Sequence, residues 1–219
     1  MTSATTNSKT VDQSGRTLGP RALETRQRLL DATVALLGER SVRDISVVEI
    51  ARKANTSPAT FYQYFKDVGE ATLRLAEAAA EEMPAVIELI DGSWKGQKGL
   101  DTARALVRAF VDHWDSHRSV LLVRNLAADE GDRRFMKVRR RALSPVIEHL
   151  ARRIEETQAQ GRIAKEVHPA AAAVAMASIL ERLAAYHREI EFFGAGREEI
   201  IESCARILFQ TVTGRGAPS

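Results

Sequence analysis

A group of polar and small side chains between positions 46 and 66 has the chemistry needed to contact DNA. Gln63 can pair in a bidentate manner with the edge of an adenine in the major groove. Tyr62 and Tyr64 carry hydroxyls that can reach phosphate oxygens, while their rings can pack on sugars. The candidate contact residues are Ser46, Thr56, Ser57, Ala59, Thr60, Tyr62, Gln63, Tyr64 and Lys66.

Two short helices are predicted to position these side chains. Ser46 and Glu49 have the spacing of a capping box, in which the serine accepts from the third helical amide and the glutamate reaches back to the cap amide. Asn55 tolerates the left-handed backbone of a tight turn. Ser57 and Pro58 then form a favourable start for the next helix. This layout is that of a helix-turn-helix, whose second helix enters the major groove.

Flanking helices must support this pair, because helices this short are marginal by themselves. Apolar side chains recur at helical spacing over residues 22–37, which predicts a helix before the motif. Asp67 as a cap and Glu70 at the third position predict a long helix after it, running to about position 90. Phe61 and Phe65 are assigned to the core between the first and fourth helices.

Residues 51–65 resemble the signature of the tetracycline-repressor (TetR) family. They read ARKANTSPATFYQYF, and the family pattern is roughly A-x-x-A-G-V-S-x-x-T-hydrophobic-Y-x-H/Y-F. The resemblance extends over about residues 22–75. It implies an all-helical homodimer of about nine helices, with the last two helices at the dimer interface. It also implies a regulator, most often a repressor, that binds a double-stranded DNA operator of pseudo-palindromic sequence.

Two positions depart from that pattern. Asn55 stands where the family usually has a turn glycine, a replacement that the turn tolerates. Val68 stands where the family usually has a lysine that contacts phosphate, and Lys66 could supply that contact instead. The alternative function is therefore a helical interaction protein with weakened DNA binding.

The rest of the sequence predicts an all-α protein, because strand signals are almost absent beyond position 91. The predicted divisions are a flexible tail with basic residues over 1–20, a three-helix DNA-binding domain over 21–68, and a larger domain for effector binding and dimerisation over 69–219. An alanine-rich segment, 170–185, fits the dimer interface. So does the apolar stripe Ile200, Cys204, Ile207, Leu208 and Val212.

The second half of the chain resembles, more loosely, the ethionamide-activation repressor subgroup of the same family. The similarity lies in residues 110–120 and in Glu181-Arg182. It implies a hydrophobic channel for a small lipophilic effector that releases the operator. Asn125 is a candidate polar contact in a mostly apolar pocket. The predicted lining residues are Trp94, Phe110, Trp114, Leu121, Asn125, Phe135, Met136, Met176 and Leu180.

A second constellation has the spacing of metal ligands. His113 and His117 lie four residues apart, with Asp112 and Asp115 beside them. Trp114 occupies the place where an HExxH motif needs glutamate. The plainer interpretation is an exposed polar helix face, so no metal or cofactor is predicted. Since a phosphate loop and a nucleophile–base pair are also missing, the chain is not predicted to be an enzyme.

Charge and composition agree with these predictions. Residues 1–74 contain 11 Lys/Arg and 8 Asp/Glu, whereas residues 75–219 contain 21 of each, so a polyanion is expected to dock on the first third. No apolar run reaches the roughly 18 residues of a membrane span, and the N-terminus lacks the apolar segment of a signal peptide. A cytoplasmic protein is therefore expected.

Cys204 lies among apolar residues, which favours a core position over a redox role.

Overall fold

Helices account for nearly all regular structure in this chain. The computed structural model describes residues 10–218, so the predicted tail residue Lys9 lies outside the described residues. Nine α-helices occupy this part of the chain: α1 (Pro20–Glu39), α2 (Val47–Lys53), α3 (Pro58–Tyr64), α4 (Val68–Ala80), α5 (Met83–Ile90), α6 (Gly96–Asp129), α7 (Arg133–Ala159), α8 (Pro169–Ile190) and α9 (Arg197–Thr213). Two 3-10 turns, Val42–Asp44 and Glu191–Phe193, accompany them. The prediction of an all-α fold with about nine helices is confirmed.

The chain divides into two units within α4. The first unit ends at Glu77 and the second begins at Ala78. The functional boundary predicted at 68/69 lies at the start of the same helix and stays a prediction. Along residues 10–218, none of the helices has the length and apolar character required to cross a membrane.

Aromatic side chains from α3 and its C-terminal cap form the centre of the first unit. Phe61 and Phe65 are fully buried, as are Leu29 on α1 and Ile50 on α2. The rings of Phe61 and Phe65 have centroids 5.4 Å apart. Burial of each such side chain contributes about 1.5–3 kcal/mol relative to exposure. This packing stabilises α2 and α3, which have only 7 residues each.

Side chains fix where these short helices begin. The Glu49 amide donates to Ser46 Oγ at 3.3 Å, and the Ser46 amide donates to Glu49 Oε2 at 3.0 Å, which completes the predicted capping box. Ser57 Oγ accepts from the amide of Thr60 at 3.1 Å. Asn55 adopts φ 53° in the turn between the helices. The predictions for both caps and for the turn are confirmed.

Residues 10–19, which belong to the segment predicted as a flexible tail, form a hydrogen-bonded turn. Asp12 Oδ1 accepts from the amide of Arg16 at 2.9 Å, which closes the turn. The amide of Gln13 donates to the carbonyl of Gln63 at 2.9 Å. The turn therefore packs against the C-terminal end of α3.

The long fourth helix predicted from sequence is in fact two helices. α4 ends at Ala80, and α5 begins at Met83 with Pro84 as its second residue. A proline at that position would clash with the carbonyl four residues earlier if the helix continued. Conversely, the break predicted near Ser116 is only a bend, since α6 continues through His117 with φ −123° and ψ 16°.

The second unit is built around α6, against which α5, α7, α8 and α9 pack. Its fully buried side chains include Leu100, Leu106, Leu121, Leu150 and Ile154. These residues come from α6 and α7, so the two longest helices supply much of the core.

The apolar stripe on α9 faces this core rather than solvent. Ile200, Cys204, Leu208 and Val212 are buried within the single chain, whereas Ile207 is 49% exposed. Burial raises the pKa of the Cys204 thiol to about 11. Of the predicted stripe, only Ile207 is accessible to a partner.

Candidate functional site

Helix α3 separates its aromatic residues into buried and exposed groups. Tyr62 is 54% exposed, while its neighbour Phe61 is fully buried. Ala59 and Gln63 are exposed as well, and Tyr64 is half-buried. The packing of Phe61 therefore turns one helix face, with a phenol and an amide on it, towards solvent.

The predicted hydroxyl contacts have structural partners within the motif. Ser46 Oγ donates to Glu49 Oε2 at 2.7 Å. Ser57 Oγ and Thr60 Oγ1 lie 2.9 Å apart. Thr56 is half-buried, and its amide donates to a carbonyl of α2. These side chains hold the two helices in place, whatever else they contact.

A turn that sequence reasoning missed supports the end of α3. Gln13 Nε2 donates to the carbonyl of Tyr64 at 3.2 Å and to Glu70 Oε2 at 3.0 Å. The same Glu70 oxygen accepts from the amide of Lys66 at 2.7 Å. The sequence signal was residues 12–15, Asp-Gln-Ser-Gly, which is a typical turn composition.

Glu49 links the capping box to α1. Arg40 Nη2 donates to Glu49 Oε1 at 2.6 Å. Hydrogen bonds from the Ser46 side chain and backbone, followed by the bond from Arg40, lower the pKa of Glu49 to about 2. The Glu49 carboxylate is therefore ionised at neutral pH.

In the second unit, a cleft of 440 Å³ opens between α6, α7 and α8. This volume lies within the usual range for a small-molecule site. Its lining residues are Trp114, Leu122, Asn125, Leu126, Asp129, Arg139, Ser178, Glu181, Arg182, Ala185 and Tyr186.

A largely buried ion cluster adjoins this cleft, and its members Asn125, Arg139 and Glu181 line it. Arg124 Nη2 donates to Glu181 Oε1 at 2.9 Å, and Arg139 Nη2 donates to Glu181 Oε2 at 2.5 Å. Asn125 Nδ2 adds a bond to Glu181 Oε1 at 3.3 Å. Arg124 is only 3% exposed, and burial lowers its pKa to about 10. The hydrogen bond to Glu181 raises the pKa of Arg139.

The structure brings only part of the predicted lining set to this cleft. Trp114 and Asn125 line it. Trp94 lines a separate hollow beside the end of α9, and Met136 lies 49% exposed on α7. The remaining predicted residues pack in or against the protein interior: Phe110, Leu121, Phe135, Met176 and Leu180.

The histidine pair of α6 is not the exposed polar face that the sequence suggested. His113 is buried, and His117 is half-buried. Burial first, and then the neighbouring His117, lower the pKa of His113 to about 4. Asp112 is paired with Arg197, and Asp115 accepts from an arginine of α8 at 2.6 Å. The two aspartates therefore point to other partners.

Comparisons with protein families match both units. Residues 29–67 match the model of bacterial regulatory proteins of the tetR family. Residues 86–219 match the tetracyclin repressor-like C-terminal domain. The second match alone covers more than half of the chain.

Individual relatives are more distant. A Haemophilus influenzae protein described as an uncharacterized HTH-type transcriptional regulator is 29% identical over 98 residues, which are 43% of this chain and 45% of the relative. The match thus spans less than half of that relative's length.

Solved structures share the fold. The fatty acid degradation regulator FadR from Bacillus halodurans has a TM-score of 0.62 at 15% identity, over 89% of this chain and 97% of that one. Thermus thermophilus FadR in complex with lauroyl-CoA has a TM-score of 0.50 at 21% identity, over 89% and 98%.

Proposed function

Because the chain belongs to the TetR family of bacterial transcriptional regulators, we propose that it is a ligand-responsive repressor. In this proposal a homodimer binds a pseudo-palindromic operator, and a lipophilic small molecule releases it. The family acts in transcription rather than in catalysis. We also propose a cytoplasmic location, because the DNA of a bacterium lies in the cytoplasm. The observation that carries the proposal is α3, which exposes Tyr62 and Gln63 above a buried phenylalanine core.

Helix α3 is the proposed reader of base edges. Gln63 has the amide geometry for an adenine edge, and exposed Ala59 is small enough to approach a thymine methyl group. Tyr62 and Tyr64 are the proposed backbone contacts on the same helix. In this proposal, four side chains that hold the two helices in place also contact phosphate: Ser46, Thr56, Ser57 and Thr60.

Two exposed cations are proposed to contact phosphates beside α3. Lys66 follows the helix, and Arg16 lies on the turn that packs against its end. Val68, the first residue of α4, is half-buried. Lys66 and Arg16 thus take over the role of the lysine that Val68 replaces.

The dimer is proposed to form through α8 and α9. On α8, Val174 is 47% and Ile179 40% exposed, and on α9 Ile207 is 49% exposed. Exposed Ala171, Ala175 and Ser178 continue the same α8 face with small side chains. Small residues allow two helices to approach closely, and an isologous dimer buries this face twice.

Changing the α8 face tests the dimer. Ile179→Arg should convert the protein to monomers, measured by sedimentation velocity, because the charge cannot be buried without a partner. Leu23→Arg, at 42% exposure on α1, is the matched control and should remain dimeric. A dimer that survives Ile179→Arg would place the interface elsewhere.

The effector is proposed to bind in the cleft beside Trp114. Leu122 and Leu126 offer apolar surface, and the Arg139–Glu181 pair offers polar contacts at the wall. The Thermus thermophilus relative holds lauroyl-CoA, so this acyl thioester is a reasonable first probe. In a Trp94→Phe variant Trp114 is the remaining tryptophan, and a change of its fluorescence on adding the probe, lost in a Leu122→Arg variant, would support the site.

DNA binding is tested by a salt titration on the intergenic DNA upstream of the gene. Wild-type protein should bind tightly and specifically. Tyr62→Ala/Gln63→Ala should lose about tenfold to a hundredfold in affinity, because the contact of Gln63 with a base edge alone contributes roughly 1–3 kcal/mol. Gln27→Ala, on the exposed face of α1, is the control.

Weak binding that falls steeply with salt and is unchanged by the double substitution would indicate contact with phosphate only. That outcome would favour the alternative, a helical interaction protein in which Val68 marks weakened DNA binding.

A further inference from the structure

Three potential metal ligands meet in the second unit, away from the cleft lining. His117 Nε2 lies 2.8 Å from Glu82 Oε2, and His113 Nδ1 lies 3.8 Å from the same oxygen. One ligand atom from each residue lies within 4.8 Å of the others. The histidines are four residues apart on α6, so both imidazoles project from one helix face.

These distances are close to those of an occupied site. Zinc binds histidine nitrogen at about 2.0–2.1 Å and carboxylate oxygen at about 2.0–2.2 Å, so ligand atoms around a tetrahedral ion lie roughly 3.3 Å apart. The side chain of Glu82 is 58% exposed and can adjust its rotamer. The two distances to Glu82 Oε2, 2.8 Å and 3.8 Å, lie on either side of this spacing, and Glu82 is the side chain free to adjust between the two imidazoles.

The exposure of the three side chains forms a gradient from interior to solvent. His113 is 7% exposed, His117 25% and Glu82 58%. A buried imidazole anchors one side, and the solvent side leaves an entry path and room for a water ligand. Two histidines, one glutamate and an open fourth position form a ligand set known for zinc.

We propose that Glu82, His113 and His117 bind one divalent transition-metal ion of the zinc type, with water as the fourth ligand. The neighbouring acids do not compete for this role, because Asp112 and Asp115 are held by arginines of α8 and α9. The sequence expectation of no metal site is replaced by this proposal.

The ion would connect two places at which the second unit departs from regular helix. Glu82 lies in the two-residue break between α4 and α5, and His117 is the residue at which α6 bends. Metal binding would therefore hold the α4–α5 junction against α6. Amide hydrogen exchange at residues 81–83 should slow when the ion is added.

The test uses the untagged, full-length protein after removal of metal with a chelator. Co2+ is the probe, because a tetrahedral site with nitrogen and oxygen ligands gives it intense visible absorption that Zn2+ then abolishes by displacement. We expect saturation at one ion per chain. His117→Asn and Glu82→Gln should each weaken binding by at least about tenfold, the lower end of what loss of a supporting group costs.

The control is a histidine–carboxylate pair of similar exposure elsewhere on the unit. His149 Nδ1 lies 3.1 Å from Asp91 Oδ1, and its side chain is 27% exposed. His149→Asn should leave Co2+ binding and the exchange at 81–83 unchanged. Absence of the visible bands in wild type, or equal binding by His117→Asn and His149→Asn, would overturn the proposal. Circular dichroism of the metal-free variants checks that each remains folded.

Discussion

Helices α3 and α6 place their polar side chains in opposite ways. α3 has 7 residues, begins at a serine cap and turns Tyr62 and Gln63 outwards. α6 has 34 residues and no side-chain cap, and it turns Arg124 inwards to Glu181, 57 positions away in sequence. The first helix depends on contacts that are local in sequence, while the second depends on pairing with a distant helix. The two regions should therefore respond to different substitutions.

The largest effect is expected from breaking the buried ion cluster. Glu181→Ala leaves Arg124 buried without its carboxylate, which typically costs about 3–5 kcal/mol. Both tryptophans, Trp94 and Trp114, lie in the second unit, so their fluorescence during urea unfolding measures this loss.

Asp129→Ala provides the control for that substitution. Asp129 is 71% exposed and lies 3.6 Å from Arg139, so its removal should cost less than about 1 kcal/mol. Equal losses for the two variants would mean that burial of the cluster contributes nothing, and the contrast between α3 and α6 would fail.

A smaller effect is expected from removing the cap of α3. Ser57→Ala eliminates the acceptor for the Thr60 amide and should cost about 1 kcal/mol, whereas Ser57→Gly should cost only a few tenths. Hydrogen exchange of the α3 amides measures the loss. If the tryptophan transition of the second unit moved by the same amount, the two regions would not be independent.

The smallest effect concerns pH and the capping box of α2. The pKa of Glu49 is lowered from 4.5 to about 2, so its ionised form stabilises the folded state. That contribution is fully present above pH 4.5 and is lost as the pH falls towards 2. The difference in thermal stability between wild type and Glu49→Gln should therefore shrink over this range. In a Ser46→Ala background, the stability difference made by Glu49→Gln should vanish at a higher pH than it does with Ser46 present. The reason is that the hydrogen bond from the Ser46 side chain is the largest cause of the lowered pKa of Glu49.

The sequence was sufficient for α2, α3 and the turn between them because their signals are local. Ser46, Asn55 and Ser57 each act within a few residues of themselves. The closed turn at residues 10–19 was missed because its partners, the carbonyls at the end of α3, lie about 50 positions away.

The cleft could be predicted only in part, for the same reason. Asn125 was identified, and helical spacing from it leads to Leu122 and Asp129, which also line the cleft. Phe110 and Leu121 were also predicted to line a pocket, but they are buried and do not line this cleft. Hydrophobicity alone does not distinguish a core side chain from a lining one. The role of Glu181 required knowing which residues of α6 and α7 face it.

The burial of Cys204 makes this chain convenient for site-specific labelling. With a pKa of about 11, its thiol is ionised in only about one molecule in ten thousand near neutral pH, and the core shields it from reagents. Since the sequence contains 1 cysteine, any cysteine introduced on the surface would be the single reactive thiol. A spin label or fluorophore attached to α1 would then report distances between the two protomers of the proposed dimer, with and without operator DNA, and no native residue would first have to be removed.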